Sequence, residues 1–373
     1  MFRVWRTLFT GFDPLLFGAI LSLSLLGLVT MYSHVGENTF FNRQLVWLGV
    51  SIFVFFLALI PDYRFLRTSN AAFYGYVVII ILLVLTFFFA QEILGARQRF
   101  DFGAFSLQVS DPAKLILIAV LAKYFAKRHE LIGDFRHIII SGLYTLVMFF
   151  LVFLQPDFGT AAILFLIWFG MILVAGIQFR HLLAVFLTGL LAFGLLWQFA
   201  FKDYQKERIA TFLDPLSDIQ GAGYNAYQST VAVGSGQLVG KGIGYGTQSK
   251  LLYLPEYETD FIFAAFAEEW GLFGVLILFF LFGVVIVRLL YHAVHGANNF
   301  EKLFATGVAI YLLAHFFIHI GINIGLMPVT GTTIPFLSYG GSHLVTEFAG
   351  IGMVLAMQRY TQKRTAAQNF LTD

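Results

Sequence analysis

The stretch 258-ETDFIFAAFAEEWGLFGVLILFFLFGVVIVR-288 decides the fold. From Phe261 to Val287 it carries only two charged residues, Glu268 and Glu269. A bilayer is crossed by about 20 mostly apolar residues, so this run is long enough to span. It opens after Asp260 and closes on Arg288. Arg in a short loop marks the cytoplasmic side of a span. The stretch therefore reads as a membrane helix with a carboxylate at its outer mouth.

The rest of the chain repeats the pattern. Apolar runs lie at roughly 14–33, 44–60, 72–90, 112–126, 138–154, 158–176, 182–201, 261–288, 303–322 and 343–357. The first follows Arg3 and Arg6 but is long and has no small-x-small cleavage site, so it reads as a span and not as a signal peptide. Of 373 residues, 59% are hydrophobic and 12% charged, half the roughly 25% of a soluble domain. This excludes a disordered chain and an ordinary soluble enzyme. The lack of cysteine excludes a disulfide scaffold, thiolate-held metals and a thiol nucleophile. A net charge of +2 without a basic block argues against nucleic acid as a partner.

Orientation follows from Lys and Arg. With the N-terminus cytoplasmic, 14 of them face inward: Arg3, Arg6, Arg64, Arg67, Lys123, Lys127, Arg128, Arg136, Arg180, Arg288, Lys302, Arg359, Lys363 and Arg364. Only Arg43, Arg97, Arg99 and Lys114 fall on short outer segments. The expected fold is an all-α polytopic membrane protein of about ten transmembrane helices, both termini cytoplasmic. Residues 1–373 form one domain, and 202–260 a long, ordered extracytoplasmic loop between helices 7 and 8.

Charged groups at membrane depth are costly and mark function. Asp111, Lys114, Asp157, Asp260 and Glu347 all fall at outer ends of spans. Each also has a plain structural reading. Asp111 before Pro112 suits a helix cap, Asp157 after Pro156 a tight turn, and Asp260 a cap for the helix that follows. Glu268 and Glu269 point about 100° apart, so at least one faces the bundle, as a buried pair with a nearby donor. His315 and His319 stand at i, i+4, a spacing that suits either a metal or bundle-facing hydrogen bonds. The run Gly240-Lys241-Gly242-Ile243-Gly244-Tyr245-Gly246 fails the Walker pattern. It offers backbone N–H groups and Lys241 to a pyrophosphate, or else it is only a turn.

Several of these segments together resemble the SEDS family (shape, elongation, division, sporulation). They are Gly95-Ala96-Arg97 with Gln108 to Lys114; Gln155-Pro156-Asp157-Phe158-Gly159-Thr160-Ala161; Gly234 to Gln248; Leu254-Pro255-Glu256, Thr259-Asp260-Phe261-Ile262-Phe263 and Ala267-Glu268-Glu269; and Asn323 to Ser342. They appear in the family's order, and the short tails are similar to its rod-elongation branch. The resemblance implies a peptidoglycan glycosyltransferase of the bacterial cytoplasmic (inner) membrane. It implies that lipid II is polymerised at the outer face, releasing undecaprenyl pyrophosphate, beside a class B penicillin-binding protein. The family's essential Asp matches Asp260, its Lys matches Lys114, and a loop Arg matches Arg208. Two positions depart: Asp111 stands for a family Glu, and Glu258 where His is common. Asp260 is then the expected base. Lys114, Arg208, Asp111, Lys241, Asp157 and Glu347 are expected to bind substrate, and a divalent cation (Mg2+ or Mn2+) is expected at Asp111. A lipid II flippase and a recruiting scaffold are the competing readings.

Overall fold

The computed structural model describes residues 12–32, 39–90, 98–101, 106–128, 134–199, 201, 203–214, 222–251 and 253–372; side chains at 203–205, 207, 208, 222 and 360–372 are outside the description. Helices α1 (Pro14–Tyr32), α2 (Thr39–Ala58), the short α3 (Arg64–Thr68) and α4 (Ala71–Phe89) come first. A small antiparallel hairpin follows, β1 (Arg99–Asp101) with β2 (Ser106–Gln108), paired Arg99 to Gln108. Then come α5 (Ser110–Ala126), α6 (Phe135–Leu154), α7 (Phe158–Ala175) and α8 (Phe179–Phe199). The long outer segment contains α9 (Asp203–Leu213), α10 (Ala222–Ser235) and α11 (Thr247–Lys250). The chain ends with α12 (Ile262–Val294), α13 (Asn299–Asn323) and α14 (Gly341–Thr372).

Among the described residues, eight helices are long and apolar enough to cross a membrane: α1, α2, α4, α6, α7, α8, α12 and α13. The other two expected spans are also helical but differ in kind. α5 is a 17-residue helix carrying Asp111, Lys114 and Lys123, nearly all of it buried. α14 begins at Gly341 with His343 and Glu347 inside it. Asp111, Lys114, His343 and Glu347 on them are buried, so neighbouring protein surrounds these charges. The expected all-helical reading also missed the hairpin, which delivers Gln108 to the head of α5.

Two polar layers close the bundle. At one end Asp13 accepts from Arg288 Nε at 2.6 Å and meets His292 Nε2 at 2.8 Å, while His292 also contacts Gln358. Burial raises the Asp13 carboxyl, but these partners outweigh it and hold it at about 2. Lys123 reaches the Ser69 carbonyl, and Arg359 the Ile60 carbonyl, in the same layer. Because Asp260 and Arg288 flank the same helix, Asp260 lies in the opposite layer.

α12 is broken at Gly271, whose φ of 65° and ψ of −168° are not helical. A break in a spanning helix frees backbone groups that must find partners. The glycine-rich outer segment supplies them. Lys241 N donates to Glu268 O, Gly242 N to Glu269 O, Leu272 N to Gln237 O and Phe273 N to Leu238 O, at 2.9–3.1 Å. A Cβ on Gly271 would stand 2.2 Å from Gly240 N, so only glycine allows this docking. α8 is different: none of its described residues is buried.

Candidate active site

Lys114 is 1% exposed, and burying an ammonium without a counter-charge is costly. Its partner lies one turn earlier: Lys114 Nζ donates to Asp111 Oδ1 at 2.9 Å. The Tyr311 ring lies 5.6 Å from the ammonium. Asp111 is not the helix cap its position before Pro112 suggested. Val109 occupies the cap position, and the carboxylate turns inward to the lysine. From α14, His343 Nδ1 stands 3.5 Å from Asp111 and its Nε2 2.8 Å from Glu347 Oε1. Glu347 Oε2 accepts from Phe336 N at 2.9 Å. The outer-end charges on α5 and α14 thus form one chain, Lys114 to Asp111 to His343 to Glu347.

Asp157 does cap a helix: its Oδ1 accepts from Thr160 N at 2.9 Å at the start of α7. Its Oδ2 also accepts from Gln108 Nε2 at 3.4 Å, and Gln108 donates to Ser110 Oγ as well. Burial pushes the Asp157 carboxyl above the usual range. Gly159, in the first turn of α7, packs against the segment 330–332. A Cβ there would stand 2.6 Å from Thr332 Cγ2 and 2.8 Å from the Thr330 carbonyl. Overpacking of this kind costs about 1–3 kcal/mol. Gly159→Ala is therefore expected to lower the melting temperature in detergent by several degrees. A wild-type melt would show that segment 330–332 yields freely.

Asp260 lies across that same segment. Its carboxylate oxygen is 3.6 Å from where a Cβ on Gly331 would stand, and Gly331 has a φ of +73°. Gly331 is exposed and Asp260 half-buried, so the carboxylate borders the mouth of the bundle. The helix cap is Phe261, without a side-chain capping bond, so Asp260 does not serve as the expected cap. The backbone around it is clamped. Asn323 Nδ2 donates to Asp260 O at 3.0 Å, Ser338 Oγ to Thr259 O at 2.8 Å and Tyr339 N to Glu258 O at 2.8 Å. Glu258 is itself buried, which pushes its carboxyl up against the hydrogen bond from Tyr257.

The structure therefore gathers Asp111, Lys114, Asp157 and Glu347 into one polar cluster at the heads of α5, α7 and α14, and sets Asp260 across segment 330–332 at the far end of α13. Lys241 stands apart: its Nζ pairs with Glu268 Oε1 at 2.7 Å and donates to Thr247 Oγ1 at 2.7 Å. Glu268 also accepts from the N–H groups of Thr247 and Gln248, and Glu269 from Gly244 N. Both glutamates are buried beside neighbouring donors, as the sequence allowed. Arg208 lies on α9, with its side chain outside the described residues. His315 and His319 make bundle-facing hydrogen bonds through Nδ1 to the Thr333 and Thr332 carbonyls, at 3.1 and 2.7 Å. Sequence reasoning missed His343, the link between Asp111 and Glu347; its i, i+4 spacing to Glu347 was the available signal.

A fixed ammonium inside the bundle and a half-exposed carboxylate at its mouth suit a reaction in which a hydroxyl loses its proton while an anion departs. Asp111 is a poor metal ligand, since Lys114 and His343 already hold its carboxylate. Among the described residues no group of three His, Cys, Asp or Glu is placed to hold an ion.

Comparison with known proteins agrees with this architecture. The family model FTSW_RODA_SPOVE, described as a cell cycle protein, matches residues 6–363. The peptidoglycan glycosyltransferase MrdB of Escherichia coli (strain K12) is 35% identical over 352 residues, covering 93% of this chain and 94% of that protein. Stage V sporulation protein E of Bacillus subtilis (strain 168) is 35% identical, covering 95% and 98%. The crystal structure of the rod shape determining protein RodA from Thermus thermophilus matches with a TM-score of 0.70 at 30% identity, covering 93% and 97%. A chain solved in work on the structural coordination of polymerization and crosslinking by a peptidoglycan synthase complex matches with a TM-score of 0.80 at 32% identity, covering 94% and 98%.

Proposed function

The chain belongs to the FTSW_RODA_SPOVE family of cell cycle proteins and is a multi-pass peptidoglycan glycosyltransferase of the cytoplasmic membrane, and we propose that it polymerises lipid II with Asp260 as the general base. The observation that carries the proposal is the clamped, half-buried Asp260 beside exposed Gly331.

The chemistry balances without a nucleotide. The 4-hydroxyl of the acceptor sugar attacks the anomeric carbon of the donor. Its O–H bond breaks and the proton goes to Asp260. The bond from the anomeric carbon to the pyrophosphate breaks, and the lipid pyrophosphate leaves with the electron pair. Displacement assisted by one base inverts the anomeric carbon, so an α-linked donor becomes a β-1,4 link. Lys114 and Arg208 offset charge growing on the leaving group. Asp157 and Gln108 hold the head of α5 toward it, and Glu347 holds His343 against Asp111. Lys241 acts one step removed, by fixing the outer loop on the broken α12. The pyrophosphate itself is a better ligand for Mg2+ or Mn2+ than a carboxylate already held by Lys114, so we assign any cation to the substrate.

The bare flank of α8 supports lateral entry for a lipid-linked substrate, which a pre-packed span would block. A class B penicillin-binding protein is the proposed partner, because the relative at TM-score 0.80 comes from a complex that couples polymerization to crosslinking. The test is purified protein and lipid II in detergent, with and without that partner. Glycan product without a membrane or gradient is expected. Its absence under both conditions, with lipid II transport in vesicles, would assign the protein as a flippase.

A further inference from the structure

Tyr311, His315, His319 and Asn323 recur every fourth residue and so share one face of α13. All four are at most 2% exposed. Tyr311 stands at the Lys114 end of this stripe and Asn323 at the Asp260 end. His315 lies against His343, ring centroids 4.6 Å apart.

The two histidines are bonded in the same way, each through Nδ1 to a backbone carbonyl. A carbonyl only accepts, so the hydrogen is assigned to Nδ1. Each neutral ring then presents an Nε2 lone pair. Neither Nε2 has a hydrogen-bond partner, and neither do the buried hydroxyls of Thr330 and Thr332. Buried polar atoms are almost always satisfied, by protein or by ordered water. Four orphans collect around one short segment, and that segment carries Gly331, the neighbour of the Asp260 carboxylate.

We propose that His315, His319, Thr330 and Thr332 hold a short file of water that relays the proton from Asp260 toward the leaving pyrophosphate. This rests on the reading of Asp260 as the base. Each added sugar leaves one proton on Asp260, and it must go before the next cycle. The carboxyl O–H bond breaks as a water takes the proton, that water passes one of its own to His319 Nε2, and the same Nε2 releases it to the next water, because the Nδ1–H stays on the Thr332 carbonyl. The same exchange through His315 carries the proton to the Lys114 end, where the pyrophosphate oxygen accepts it. No oxidant or further reactant is needed.

His319→Asn keeps a donor for the Thr332 carbonyl but removes the distal nitrogen, so a purely structural role survives it. The relay predicts that kcat for lipid II polymerisation falls at least tenfold, KM changes less than twofold and the solvent deuterium isotope effect on kcat grows. His319→Gln, polar at the distal position but unable to take a proton, stays slow. Thr332→Val gives the same signature without touching an imidazole and carries the test if His319→Asn does not fold. Wild-type kcat and isotope effect in His319→Asn and Thr332→Val, with Asp260→Asn inactive, would overturn the relay and leave the base standing. Full rescue by His319→Gln would also overturn it, reducing His319 to a holder of water. An active Asp260→Asn would remove the premise instead.

Discussion

Asp260→Asn abolishes most polymerisation: a loss of about 10²- to 10⁴-fold in the rate is expected, the usual contribution of a positioned proton acceptor. The amide is isosteric with the carboxylate but cannot take the proton of a sugar hydroxyl at neutral pH. The fold should not notice the change. Segment 258–261 is held by backbone acceptors, from Tyr339, Ser338 and Asn323, and all three bonds survive the substitution. Expression, melting temperature and lipid II binding should thus stay near wild type while product vanishes. Asp260→Glu keeps the chemistry but pushes the carboxylate toward Gly331, so a partial rate is expected. The measurement is initial rates with purified protein and lipid II at saturating concentration. A rate for Asp260→Asn within threefold of wild type would place the base elsewhere, with Glu258 the next carboxylate to test.

Much of this site was legible because membrane proteins punish stray charge. Asp111, Lys114, Asp157, Asp260 and Glu347 stood out against apolar runs, and the Lys/Arg bias put them on one side. What joined them was not legible. His343 bridges Asp111 and Glu347 across two helices more than 200 positions apart in the chain, and no local pattern announces such a contact. The break at Gly271 was hidden because Trp-Gly-Leu-Phe inside an apolar run reads as continuous helix. Only the docked outer loop makes the break affordable. That loop in turn explains Glu268 and Glu269, which look like intramembrane functional acids but serve as acceptors for Lys241, Thr247, Gln248 and Gly244. Two plain readings, capping by Asp111 and by Asp260, failed for different reasons. Asp111 is claimed by a buried ammonium, and Asp260 is followed by a helix that starts uncapped.

The second large effect separates structure from chemistry at Lys114. Lys114→Met deletes the ammonium and leaves Asp111 buried beside His343 alone. Breaking a buried pair by removing one partner costs about 3–5 kcal/mol, since the remaining charge is left uncompensated. The imidazole 3.5 Å away offsets part of this, which places the expected loss toward the lower figure. Activity should fall as well, but that fall alone is ambiguous. The double variant Asp111→Asn with Lys114→Met resolves it, because replacing both members of a buried pair by neutral groups is often close to neutral in stability. Thermal melts in detergent should show most of the lost stability restored. If Lys114 serves the departing pyrophosphate, polymerisation stays low in the refolded double variant. If Lys114 exists only to neutralise Asp111, polymerisation returns with the stability, and the leaving group must be met by another cation. Recovery of both would shift that role to Arg208, so Arg208→Gln in the double-variant background is the deciding comparison.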